Sequence, residues 1–240
     1  VTASKRTISH SELSQSVSIV KLGQFIGDSR WNSTDISQQV AGVFGGFSRA
    51  GQQKLVIRGI SDGLYEGRSQ ATVNSYINGA RLNYKASDPN IRLIDIDQVE
   101  ILRGPHGTLY GSGSLSGIYN IVTNQPDLND YSMTAGVGYE QTKDGGDSHD
   151  IDGVINLPII RDKLAFRAAG YYRHQGGYID ISEDSHILTG NLLFPSSQNL
   201  LDVPPGTKNI NDERDYYGRA LLRLVPTDFL DITAGVQIRD

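Results

Sequence analysis

The chain has 240 residues, a formal net charge of −5 and no cysteine. Disulfides and thiolate metal sites are thereby excluded, and an acidic balance with scattered basic residues argues against nucleic-acid partners. Hydrophobic residues make up 38% of the chain, yet none gather into the run of about 20 that a membrane-spanning helix needs, a test that alternating barrel strands escape.

The first elements are short. DISQQVAGVF spaces Ile36, Val40, Val43 and Phe44 along one helix face, with Asp35 as N-cap and Gln38 three residues on. KLVIRGI is a β-rich run cut off at Gly59. VNSYINGARL sets Asn78-Gly79 between apolar residues, which predicts a two-residue hairpin turn. LIDIDQVEILRG predicts a helical turn feeding another strand. These segments describe an α+β unit over residues 1–127, of ordinary domain size.

From residue 128 to 240 the period changes to two. In YSMTAGVGYE, Met133, Ala135, Val137 and Tyr139 share one face, and Ser132, Thr134 and Glu140 the other. DIDGVINLP, LAFRAAGYYR, YYGRALLRLV and LDITAGVQIRD repeat the pattern, with Arg167, Arg173, Arg219 and Arg223 on the polar faces. A soluble antiparallel sheet also alternates. Here tyrosines lie near the strand ends, and short turns at 158–163 and 225–229 alternate with the polar stretches 143–148 and 176–213. Short turns at one rim and long loops at the other predict five transmembrane β-barrel strands. Five strands cannot close a barrel and open edges are not tolerated in lipid, so further strands are expected beyond Asp240. The single methionine, Met133, is internal, and a signal peptide is expected ahead of Val1.

The first region closes on VEILRGPHGTLYGSGSLSGIYNIVTNQP, a strand running into Gly104, Gly107, Gly111, Gly113 and Gly117. A phosphate-binding P-loop needs Lys and Ser or Thr after its last glycine, whereas Gly117 precedes Ile118-Tyr119. A dinucleotide fingerprint fails as well, because Gly111, Gly113 and Gly117 are one residue too widely spaced. GISDG at 59–63 fits a nucleophile elbow around Ser61, but Gly63 and Gly67 break the helix that motif requires. The five histidines, His10, His106, His149, His174 and His186, show no metal-ligand spacing, and DGGDSHDID misses the calcium-loop pattern.

The 99–126 stretch closely resembles the plug signature of TonB-dependent outer-membrane receptors. The match rests on Val99 to Pro105 with its Arg103-Gly104-Pro105, on Leu109-Tyr110-Gly111, on Gly117 and on Asn120-Ile121-Val122-Thr123. LVIRGI, SYINGARL and DISQQVAGV resemble further plug blocks in the family's order, and VTASKR resembles the segment at or just past its TonB box. The resemblance implies a plug over 1–127 and the first five strands of a barrel of about 22 over 128–240. It implies active uptake of a scarce nutrient, most often a ferric siderophore, through the outer membrane of a Gram-negative bacterium. No catalysis, cofactor, metal or nucleic acid is expected.

The resemblance also assigns residues. Arg58 and Arg103 match plug arginines that pair with barrel glutamates, here expected beyond Asp240, while Glu100 holds Arg103 or a nearby amide. Val1, Thr2 and Ala3 would be a partial contact for periplasmic TonB, which adds the box as a β-strand. Tyr65, Arg68, Tyr84 and Lys85, on loops 61–71 and 83–90, suit an anionic or aromatic ligand. Ile118-Tyr119 departs from the family, which has smaller residues there. Cobalamin, an oligosaccharide or a mainly signalling role are alternatives to siderophore uptake, and a hydrolase centred on Ser61 is a remote one.

Overall fold

The computed structural model describes residues 16–22, 31–49, 52–61, 70–83, 88–182 and 206–239. The first region begins with β1 (Val17–Lys21), α1 (Ser33–Gln38), β2 (Val43–Arg49) and β3 (Gln52–Ile57). It continues with β4 (Val73–Ile77), β5 (Ala80–Arg81), β6 (Asp88–Pro89), β7 (Ile96–Arg103), α2 (Gly107–Tyr110) and β8 (Gly117–Thr123). Five of these strands form a sheet in the order β1-β7-β8-β4-β5, in which β4 and β8 are parallel and the other pairs antiparallel. A smaller sheet, β2-β3-β6, covers one of its faces with α1.

Strand β7 sits between β1 and β8 and is buried on both faces from Val99 to Leu102, Glu100 included. Val99 and Ile101 enter one core with Ile36, Leu55, Ile57 and Tyr119, while Leu102 enters a second with Tyr76, Tyr110 and Ile118. Burying each such aliphatic side chain stabilises the fold by about 1.5–3 kcal/mol. The Ile118-Tyr119 pair, bulky where the family is small, is fully buried, one residue to each core. The Tyr119 hydroxyl donates to the Ser33 carbonyl at 3.4 Å, and burial pushes its pKa well up. Burial, with Glu100 second, likewise raises that of Tyr110 to about 12.

Two local expectations are corrected. The helix is capped by Asn32, whose side chain accepts from the Thr34 and Asp35 amides; Asp35 is the third helical residue and completes a capping box. It also ends at Gln38, because Gly42 adopts φ 76° and turns the chain, so Val43 and Phe44 lie in β2. The expected turn of helix before β7 is absent: residues 93–95 are irregular and Asp95 has φ 56°. The Asn78-Gly79 turn joins β4 to β5 as expected, with φ 48° and 83°.

The second region is a meander of β9 (Ser132–Gln141), β10 (Asp147–Ile160), β11 (Leu164–Gln175), β12 (Glu213–Thr227) and β13 (Leu230–Arg239). Each strand pairs with its sequence neighbours. The loop lengths alternate as expected, 161–163 and 228–229 at one end and 142–146 and 176–212 at the other. The apolar face of this sheet is bare: Met133, Val137 and Ile238 are 63%, 83% and 62% exposed. The opposite, polar face is the one covered by the first region, and buries Asn156 and Arg219. A soluble sheet would do the reverse.

Candidate functional site

The glycine-rich stretch is a turn packed to the point of contact. A Cβ at Gly117 would overlap the Leu102 carbonyl and the end of Ile57, and one at Gly113 would press on Ala71, Asn74 and Arg81 with φ at 90°. The amides of Gly104, His106, Gly111 and Ser116 all donate to carbonyls, those of Ser116, Ser114, Gly107 and Thr72 respectively. Asn74 and Arg81 donate to the Ser112 carbonyl, and His106 Nδ1 donates to that of Gly104. Those amides are therefore not available to cradle a phosphate. Pro105 has no donor to offer. Leu109 is exposed, whereas Tyr110 packs edge-on against Tyr76 at 4.8 Å, and the Tyr76 hydroxyl donates to its carbonyl.

Arg103, at the end of β7, reaches back to the start of the chain. It donates to Ser16 Oγ (3.2 Å), Ser18 Oγ (2.7 Å) and the Ala41 carbonyl (3.0 Å). Glu100 is fully buried and accepts from Gln98 Nε2 (2.6 Å) and Asn120 Nδ2 (3.2 Å). Three positions apart on a strand, Glu100 and Arg103 lie on opposite faces. Arg58 is exposed in the turn after β3 at φ 53°, its amide bonded to the Gly42 carbonyl. Val1, Thr2, Ala3, Tyr65, Arg68, Tyr84 and Lys85 lie outside the described residues. The chain that flanks Tyr84 and Lys85 is braced: Asn83 donates to Asp88, and Asp88 accepts from the Leu55 amide.

The strongest contacts between the two regions were not anticipated. Asp95 accepts from Arg167 (Nη2 2.5 Å, Nε 2.9 Å) and from Arg219 (Nη2 2.6 Å), and its carbonyl takes a second bond from Arg219. The Asp95 and Arg219 side chains are each 2% exposed. Removing one partner from a buried pair costs about 3–5 kcal/mol, so Asp95 fastens the first region to the second. Arg92 makes a further link, to Asp150 at 2.8 Å and Asp152 at 3.5 Å, with its guanidinium 5.1 Å from the centre of the Tyr171 ring. The linker is held too: Asn156, fully buried, donates to the Asp127 and Asp130 carbonyls and accepts from the Asp127 amide. Arg223 donates to the Pro126 carbonyl. The inward arginines were legible from the strand period; their partner Asp95 was not. Its one signal is chemical, since Asp tolerates a left-handed backbone better than most residues.

His149 and His174, remote in sequence, are cross-strand partners with ring centroids 5.0 Å apart on the outward face. Among the described residues no group of three or more His, Cys, Asp or Glu is placed to hold a metal.

The TonB-dependent Receptor Plug Domain profile matches residues 9–118. Over 142 residues the chain is 28% identical to the ferric enterobactin receptor PirA of Pseudomonas aeruginosa, covering 59% of this chain and 18% of that protein. It is 34% identical over 113 residues to the ferrichrome outer membrane transporter/phage receptor of Escherichia coli K12, covering 44% and 14%. Among solved structures, the ferric yersiniabactin uptake receptor FyuA of Yersinia pestis superposes with a TM-score of 0.68 at 21% identity, over 93% of this chain and 31% of that one. The chain thus spans less than a fifth of these curated relatives and about a third of the solved receptor.

Proposed function

From the match of residues 9–118 to the TonB-dependent Receptor Plug Domain profile, we propose that the chain closes and gates an outer-membrane barrel that imports a ferric siderophore. The observation that carries this reading is the pairing of a compact plug with a sheet whose polar face is turned toward it and whose apolar face is bare. Residues 1–127 are the plug and 128–240 the first five strands of a wall of about 22. The plug fills the lumen, and its buried ion pairs to the wall hold it shut in the resting state.

In this reading the ligand arrives at the long-loop rim. Arg239, near that rim, donates to the carbonyl of Asn90, which supports placing loop 83–90 with Tyr84 and Lys85 on the ligand side. Tyr65 and Arg68 contribute from loop 61–71. Ligand binding frees the segment that includes Val1, Thr2 and Ala3 for periplasmic TonB, which pairs with it through the backbone. Arg58 and Arg103 then serve as a second plug-to-wall latch, toward glutamates on later strands. No bond of the cargo is made or broken.

The test is growth under iron limitation of a Gram-negative strain lacking its own siderophore receptors and supplied with the complete receptor. Uptake of at least one ferric siderophore, lost when TonB is deleted, is expected. Uptake that persists without TonB, or a protein absent from the outer-membrane fraction, overturns the proposal.

A further inference from the structure

We propose that the cleft beside Arg219 binds a small oxyanion, a carboxylate or phosphate group, between plug and wall. The inference rests on the plug-and-wall reading above. A cavity of about 370 Å³ opens between the β4–β5 hairpin, Gln125 and the inward faces of β12 and β13. Its volume falls in the range of small-molecule sites, roughly 300–1,000 Å³. Thr233 and Gln237 line its wall side, and Arg219 is the only charged residue among the described lining residues.

Two guanidiniums, those of Arg167 and Arg219, share the single carboxylate of Asp95. Both bonds from Arg219 to Asp95 use Nη2. Nη1 is buried and meets no hydrogen-bond partner at bonding geometry, with the Tyr217 hydroxyl as the polar group beside the guanidinium. Arg219 lines the cavity, and a guanidinium with an unused donor attracts an anionic oxygen. Gln237 lies directly across from Arg219 in the β12–β13 register, so its neutral amide can donate to the same anion. The lining offers no carboxylate to repel one.

The experiment titrates inorganic phosphate, and separately citrate, into the complete detergent-solubilised receptor at ionic strength held constant with sodium chloride. The readout is Tm. Site binding gives an upward shift that saturates. Exclusion of these salts from the protein surface adds only a non-saturating rise. Gln237→Glu places a carboxylate opposite Arg219 while leaving the Asp95 pair intact, and is expected to abolish the saturable part. Arg219→Met is expected to do the same; should it fail to fold, Gln237→Glu against Gln237→Leu, which keeps the saturable shift, decides alone. A larger shift with phosphate identifies an inorganic anion, and a larger one with citrate a carboxylate-bearing solute. No saturable shift with either anion, or one undiminished in Gln237→Glu, overturns the site. Failure of the plug-and-wall reading looks different, because the protein would then not be recovered from the outer membrane at all.

Discussion

The first region and the five-stranded meander follow opposite rules of burial. In the first region, Val99, Ile101, Leu102 and Ile118 are wholly covered, as in a water-soluble domain, together with a few hydrogen-bonded charges such as Glu100 and Asp88. In the meander, Val137 and Ile238 are bare while Arg219 and Asn156 are covered. Where the two meet, the meander supplies polar groups and the first region answers with Arg92 and Asp95, around a small apolar patch of Ile94 on Ala169 and Tyr171. An apolar contact would bind through area alone. An ionic one depends on a few residues, and it can be broken at a few points.

The sharpest way to break the comparison is at Asp95. Asp95→Asn keeps the shape and the tolerance for a left-handed backbone but leaves two arginines facing a neutral group. We expect a loss of about 3–5 kcal/mol in plug docking, read as a lower Tm and faster proteolysis of the plug in the complete receptor. A loss below 1 kcal/mol would show that the plug is held elsewhere. A slightly smaller effect is expected on the outward face. Val137→Arg there should cost about 2–4 kcal/mol at mid-bilayer depth and reduce recovery of the folded barrel. Thr134→Gln, on the inward face of the same strand, should change stability by less than about 0.5 kcal/mol. Equal effects of the two substitutions would refute the assignment of faces.

The smallest effect is at the junction. Asp127 accepts from the amides of Asn129 and Asp130, which hold its carboxyl below the ordinary range. Its contribution is therefore present above the unfolded-state value of about 3.9 and is lost as pH falls through the lower folded-state value. Asp127→Asn should flatten the acid limb of the stability curve below about pH 4, measured by Tm against pH. An unchanged acid limb would mean that the linker does not feel this charge.

What the sequence displayed was periodic or local. The period of two in Met133, Ala135, Val137 and Tyr139 gave the outward face directly, because strand geometry leaves no other arrangement. Asn78-Gly79 gave its turn for the same kind of reason, a backbone demand met by two adjacent residues. The helix was overextended because Val43 and Phe44 continue its spacing; only the left-handed Gly42 reveals the stop. Asp95 and Arg219 stand 124 positions apart, and no spacing rule links them. The same holds for Arg92 with Asp150, and for the buried ends of the loop around Asn83 and Asp88. Long-range polar pairs are decided by the packing of whole elements, which one sequence does not spell out.

The sheet order has a consequence in time. Every wall strand pairs with its neighbour in the chain, so each hairpin closes as soon as its own residues are available. The sheet of the first region mixes two kinds of pairing: β4–β5 and β7–β8 join sequence neighbours, but β1 waits for β7, β4 waits for β8, and Arg103 meets Ser18 across 85 positions. Closing such loops costs entropy before any contact rewards it, and topologies built on distant pairings assemble slowly. The first region is made first, yet its β1–β7 and β4–β8 pairings are expected to close later than any hairpin of the meander.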